Sequence, residues 1–565
     1  KERGPLERLL DGTILPEELE ANPELISLAE RIYGQEALED MGVFLSEIED
    51  GSRKTDLGAI FDLDVSLPEI LDKTEKKYDR TPEETNEFFS KKVLSFIAIG
   101  LSVRFFLAPF FIDTHDMASF FLATKDMVEG HSPYSSANYA YPPLVMIIYY
   151  PLFLFLSLFV EPSEWFSYSN DIRDSSMTSP LLTPIVTTPI FNFVWKIPLI
   201  LSDLFSAYFI FKIARLSGSS INFSSRVAMA YFLNPLTIYV SSVMGQTDGV
   251  MAAFLIASIY YILKEQTVTA GMFMAMSTSV KGYVIPLGVT ICGYLVVKKY
   301  QELRDKGTKF STGGGYLWDI MKEPIRFGLI TGCVGLLFLI PMFYWGGDLF
   351  VSRRIQADFR FGGIHPFVFG SIITSDILQG SEGYKQSGNQ ILDVIVFLKN
   401  FIRIEYSVTI FILLYYYLRL PQAIKEIVLL KGCVAHLYII LMFGIGNVNT
   451  QYYTVIFPML FTILAMDRRE SISLNSEVVS GFFVSLYSIG IVSFFYLAIP
   501  LAAHTDFIDL IELLKVIEDD WIGYGFATGK KYSTRWVVLG SIAWFSVTFS
   551  VIKSLSLGRN NEVEL

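Results

Sequence analysis

Long apolar runs separated by short polar breaks fill the chain from residue 91 onward, most of them close to the length of a membrane crossing. The first, 93–112, holds about twenty mostly apolar residues, enough for a helix to traverse the hydrocarbon. Lys91 and Lys92 precede it. Positive residues stay inside, so this span runs outward and releases Asp113 and Asp116 on the external side. The next run, 144–160, is punctuated by Pro142, Pro143 and Pro151, and the one after it, 191–215, ends in Lys212 and Arg215. Those cations belong inside only if the chain is still external at 190. Residues 144–160 therefore read as a re-entrant or surface-lying pair of helices, and 113–190 as one large external connection.

Later runs alternate without strain. A span beginning at Arg226 ends outside at Gln246 and Asp248, and 250–263 returns to Lys264. The run 269–297 would bury Lys281 at mid-membrane as a single helix; two shorter helices lift it to an external turn. Residues 327–345 go out and open a second large external connection, 346–400. The runs 406–420, 433–445, 455–466, 479–501 and 536–555 then alternate inward and outward. The pattern predicts an all-α polytopic membrane protein of about 12 transmembrane helices, with residues 91–565 as one multispanning domain and both termini cytosolic. Arg104, inside the first span, must face protein, and a buried pair with an acid on another span is its simplest accommodation.

Composition agrees, at 52% hydrophobic, 15% aromatic and only 18% charged. Charge is segregated. The first 90 residues hold 24 Asp/Glu against 10 Lys/Arg, a net of −14, while the whole chain carries −12. This acidic segment, 1–90, reads as short soluble helices: Pro16-Glu17-Glu18, Asn22-Pro23-Glu24 and Thr81-Pro82-Glu83-Glu84 each place proline near a first turn with acids complementing the helix dipole. With no apolar leader before it, the segment is expected to be cytosolic and to dock a cytosolic partner. Neither it nor the remainder offers a basic surface to nucleic acid. Cys292, Cys333 and Cys433 lie in apolar runs without metal-ligand spacing and read as small core residues.

Sorting polar residues by side collects Asp113, Asp116, Gln246, Asp248, Lys281, Arg353, Arg354, Arg360, His365 and Gln451 on the external face. Acids and cations from distant connections suit a pocket with a base and with cations for a phosphate, as transfer from a phosphate-bearing lipid requires. The bland alternatives stand beside this: Asp113 and Asp116 stopping a helix at the interface, Gln246 and Asp248 capping the helix that follows, Lys281 anchoring at the interface, Arg353 and Arg354 meeting lipid headgroups. His115, His131, His365, His436 and His504 are scattered, and no metal site is expected, although Asp113 and Asp116 are chemically able to hold a divalent cation. No P-loop, nucleophile elbow or dinucleotide fingerprint occurs.

Several pieces appear in an order that resembles the GT-C superfamily of polyprenyl-phosphate-sugar glycosyltransferases. They are Asp116 with Glu129-Gly130-His131-Ser132-Pro133-Tyr134, Tyr141-Pro142-Pro143-Leu144, Asp203, Asn234-Pro235-Leu236, Ser241 to Asp248, Lys281-Gly282-Tyr283, Arg353-Arg354 with His365-Pro366, and Thr450-Gln451-Tyr452-Tyr453. Within the superfamily the likeness is to the GPI mannosyltransferase I catalytic subunit and to prokaryotic polyprenol-phosphate-mannose-dependent enzymes. The resemblance implies membrane-parallel helices in the first external connection and an inverting transfer of a hexose, mannose by this likeness, from a polyprenyl (dolichyl) phosphate to a glycan or glycolipid acceptor. Asp116 would be the base, assisted by Asp113. Lys281, Arg353, Arg354, Arg360 and His365 would hold the donor phosphate, and Tyr141, Gln246, Asp248, Gln451 and Tyr452 would line the substrate pocket. No cofactor is implied. The sequence departs from the family's Asp-x-Asp in having Thr114 at the first of those positions, and the stretch 161–190 has no counterpart in the likeness.

A secondary transporter with external acidic cation sites is the alternative, kept open by Lys196 and Asp203 within one span, although an internal ion pair explains them as well. Absence of an Asn-x-Ser/Thr acceptor on the external connections points to a prokaryotic cell membrane, with the ER membrane as the eukaryotic equivalent.

Overall fold

The computed structural model describes residues 88, 90–134, 141–168, 185–306, 314–344, 425–439, 441, 450–466, 475–492 and 534–556. Arg353, Arg354, Arg360, His365 and the run 406–420 lie outside these, as does the acidic segment except for its last residues. The described helices, in order, are α1 (Lys91–Leu107), α2 (Thr114–Val128), α3 (Leu144–Ser157), α4 (Pro189–Leu216), α5 (Ile221–Phe232), α6 (Pro235–Ile238), α7 (Asp248–Leu263), α8 (Thr267–Val280), α9 (Ile285–Asp305), α10 (Gly314–Tyr344), α11 (Lys425–Ile439), α12 (Ile456–Met466), α13 (Asn475–Val492) and α14 (Thr534–Ser556). Among the described residues, four stretches are long and apolar enough to cross a membrane: Pro189–Leu216, Gly282–Arg304, Gly315–Ile340 and Val538–Ser556. A fifth is the pair Ile221–Phe232 and Pro235–Met244, bent by 45° at its break. This is a polytopic helical membrane protein.

The breaks follow local chemistry. Asn234 precedes Pro235, which disfavours helical backbone before it and needs no N–H donor at a first turn. The Asn234 side-chain oxygen accepts from Leu236 N at 2.9 Å and restarts the helix as α6, while its amide donates to the Glu477 carbonyl at 3.1 Å. The 269–297 run divides as expected: α8 stops at Val280, Lys281 turns extended, and a 3-10 turn, Gly282–Val284, leads into α9. Helix α3 has 14 residues, about 21 Å at 1.5 Å per residue, too short to cross alone.

Among the described residues, ion pairs are buried or partly buried inside the bundle. The Arg104 guanidinium, completely buried, donates to Asp203 Oδ2 at 3.1 and 3.2 Å, to the carbonyls of Gly100 and Phe232, and to Thr237 Oγ1, with the Phe232 ring 4.1 Å away. The pairing expected of Arg104 is thus found, across α1, α4, α5 and α6. Glu477 and Lys553 join α13 to α14 at 3.1 Å in the same way. Of the cysteines, Cys433 is buried but Cys333 is exposed on α10, against the expectation of a core residue.

The first connection folds onto the start of α4 through aromatic packing. Phe121 of α2, Phe153 of α3, Trp165, Phe191 and Trp195 form one cluster, and Tyr149 stacks on Trp195 at 4.5 Å with planes 4° apart. The stretch 161–190 departs from an all-α fold. Strands β1 (Phe166–Tyr168) and β2 (Ile185–Thr187) pair antiparallel, Ser167 opposite Val186, and Trp165 joins this hairpin to the cluster.

Candidate functional site

The turn leaving α1 brings Asp113 beside the bent span. Its amide donates to the Met244 carbonyl at 2.9 Å, its carbonyl accepts from Met117 N, and its Oδ1 lies 3.5 Å from Asp116 N, so Asp113 opens helix α2 as its cap. Asp116 sits one turn on, in the helix's first turn, and keeps partial exposure.

Gln246 reaches both acids because the chain before it is not α-helical. Residues Tyr239–Met244 form a π-helical turn closed by Gly245, which is left-handed at φ 82°. The amides of Gly245 and Gln246 both return to the Val240 carbonyl, at 3.0 and 2.9 Å. A side chain at Gly245 would be strained in that conformation, and its Cβ would meet Met117 Cε at 2.7 Å and Lys196 Cε at 3.0 Å. This turn aims the Gln246 amide between the acids: Nε2 donates to Asp116 Oδ2 at 2.7 Å and to Asp113 Oδ2 at 3.2 Å. Its Oε1 is buried without a hydrogen-bond partner among the described residues.

Two residues further on, Asp248 opens α7 and takes the Lys281 ammonium at 2.7 Å and the Tyr283 hydroxyl at 3.2 Å. Lys281 lies in the turn between α8 and α9, 4.8 Å from the Tyr452 ring centroid and 5.4 Å from that of Tyr141. Burial works to lower its proton affinity and Asp248 to raise it; the net direction is upward, so the ammonium stays charged. Burial and then Asp116, with smaller contributions from Tyr452, Asp248 and Asp113, push the Tyr141 phenol well above its usual range. Tyr141, Tyr283 and Tyr452 keep partial exposure, while Gln246, Asp248, Lys281 and Gln451 are buried.

Asp113, Asp116, Gln246, Asp248, Lys281, Tyr141 and Tyr452, named from sequence, therefore lie in one cluster, and Gln451 is the residue before Tyr452 in the short helical turn Thr450–Val455. Lys281, expected to neutralise a departing phosphate, is engaged by Asp248. Sequence reasoning missed three contributors. Tyr283 fell inside a quoted motif without a role, Gly245 gave no signal beyond being a glycine before Gln246, and Lys196 was read as a possible transport residue. Its ammonium donates to the carbonyls of Ala108, Phe111, Ser242 and Val243. A separate trio, Asp126, Glu129 and His131, brings possible ligand atoms within 4.8 Å of one another at the end of α2, with Glu129 and His131 exposed. The search for histidine pairs passed over this mixed set.

Comparison with known families corrects the functional expectation. The inverting hexosyl transfer, its assignment to a glycosyltransferase and the polyprenyl-phosphate sugar donor are all overturned, and the transporter alternative gains nothing. The likeness to GT-C membrane proteins survives at that coarse level, but not the specific likeness to mannosyltransferase I or its prokaryotic relatives. The finding that decides this is that residues 119–367 match the family of GPI transamidase subunit PIG-U.

Proposed function

We propose that this chain is a membrane-embedded subunit of a GPI transamidase complex in the ER membrane, and that its polar cluster holds part of the GPI anchor while protein is attached to it. The family match over 119–367 carries the reading, since that stretch contains Tyr141, Gln246, Asp248 and Lys281. The cluster's chemistry supports holding a hydroxyl-rich ring. Asp113 and Asp116 bring two carboxylates to one place, and Tyr141, Tyr283 and Tyr452 form an aromatic edge suited to the apolar face of a sugar or inositol ring. Among the described residues the cation beside this cluster, Lys281, is held by Asp248, which favours a neutral ring over a phosphate there.

The test is made in cells of the source organism. A tagged chain purified from membranes in mild detergent is expected to bring the other transamidase components with it. Its depletion is expected to accumulate free GPI lipid and unprocessed precursor proteins. A chain that purifies without those components, and whose depletion leaves GPI attachment intact, rejects the reading. About twelve spans, cytosolic termini and a docking role for residues 1–90 belong to the same proposal. In a variant with the native cysteines replaced, a cysteine at the exposed Glu164 should react with impermeant reagent from the lumenal side only. Labelling from the cytosol would refute that topology.

A further inference from the structure

Lys196 is completely buried in α4, and its ammonium is enclosed by four main-chain oxygens from two segments distant in sequence. Ala108 O at 3.1 Å and Phe111 O belong to the turn that ends in Asp113. Ser242 O at 2.8 Å and Val243 O at 3.3 Å belong to the π-helical turn that ends in Gly245 and Gln246. These carbonyls sit where helices stop or change pitch, so donors are wanted there. A charged donor satisfies several at once and more strongly than a neutral one. The side-chain stem contributes as well, since its Cε is the atom that a Cβ at Gly245 would meet at 3.0 Å.

We propose that Lys196 is a positioning residue of the polar cluster: it ties the segment carrying Asp113 and Asp116 to the segment carrying Gln246, and so sets the amide between the two acids. This rests on the reading of that cluster as the GPI-holding site. Lys196 touches none of the three side chains through a hydrogen bond of its own among those described; it acts through the backbone on either side.

The test uses the full chain in cells depleted of the native copy, reading surface levels of a GPI-anchored reporter, together with thermal melting of the purified, detergent-solubilised chain. Four forms are compared: wild type, Gln246→Ala, Lys196→Met and the double variant. The expected result is an about fivefold or greater loss of reporter for each single variant and a double variant within twofold of the worse single, because both remove the same feature. Losses that multiply in the double variant overturn the proposal, as does a Lys196→Met variant with wild-type reporter. Full reporter with Gln246→Ala instead sinks the site reading on which it rests. If Lys196→Met does not accumulate as folded protein, Lys196→Gln, which keeps two donors, takes its place. Failure of both to fold assigns Lys196 to folding alone and overturns the proposal.

Discussion

Two buried polar clusters share α4 and the bent span, and they differ in how open they are. Around Arg104, five hydrogen bonds converge on one guanidinium, its carboxylate partner is 1% exposed, and the whole is sealed by the Phe232 ring. Around Gln246, one amide nitrogen serves two carboxylates, its oxygen is left without a partner, and four residues at the edge remain partly exposed. The first arrangement closes a bundle. The second shares one amide between two carboxylates beside residues that keep partial exposure, an arrangement open to a ligand. Buried ionisable residues in a membrane protein are by default functional candidates. Among the described residues both clusters leave one buried oxygen without a partner, Asp203 Oδ1 and Gln246 Oε1, so what separates them is the partly exposed edge around Gln246.

That contrast can be broken from its closed side first. Asp203→Ala leaves Arg104 buried without its carboxylate and should cost about 3–5 kcal/mol, the largest effect expected, read as a drop in the melting temperature of the solubilised chain and in its membrane abundance. Reporter attachment should fall in proportion to abundance and no further. A loss of attachment at normal abundance would place Arg104 and Asp203 in the working site.

Gly245→Ala strikes the joint between the clusters. It forces a Cβ into a left-handed position 2.7 Å from Met117 Cε, and should cost about 1–3 kcal/mol with attachment reduced beyond the loss in abundance. Equal melting and equal attachment would mean the π-helical turn tolerates relaxation.

On the open side, Tyr452→Ala removes the ring 4.8 Å from Lys281 and, with it, about 0.5–1 kcal/mol of cation–π stabilisation, while attachment should fall several-fold because the aromatic edge is lost. Tyr452→Phe, retaining the ring, should keep most of the function; an equal defect in both variants would shift the role to the hydroxyl.

The smallest effect is expected far from both clusters. Glu265, between α7 and α8, is held below its ordinary 4.5 first by the Lys298 hydrogen bond and then by that residue's charge. Its contribution is complete above the ordinary value and fades as pH falls through the lowered one. Glu265→Gln should flatten the acid limb of the stability profile by less than about 0.5 kcal/mol. A larger change would show that this exposed pair is more than a surface contact.

Much of this was legible in the pattern of residues because membranes simplify the problem. A polar residue inside an apolar run must be explained, and the explanations are few. So Arg104 announced a buried partner, Lys281 announced a helix break, and the charge rule put Asp113, Asp116, Gln246 and Asp248 together before any distance was known. What the residues did not announce was who would bond to whom. The same spacing that makes Asp116 look like a catalytic base also suits a cluster that only holds a ligand, and motif order alone favoured the wrong chemistry.

Sequence by itself determined that the chain is a helical membrane protein, where several of its spans break, and which polar residues gather, because apolar length and charge placement answer to the bilayer and not to distant packing. Tertiary structure alone decided that Lys281 belongs to Asp248, that Lys196 serves four carbonyls, and that Gln246 lies between two acids. Those pairings depend on a π-helical turn, a left-handed glycine and the approach of α1 to that turn, none of which is encoded by any local preference strong enough to read along the chain.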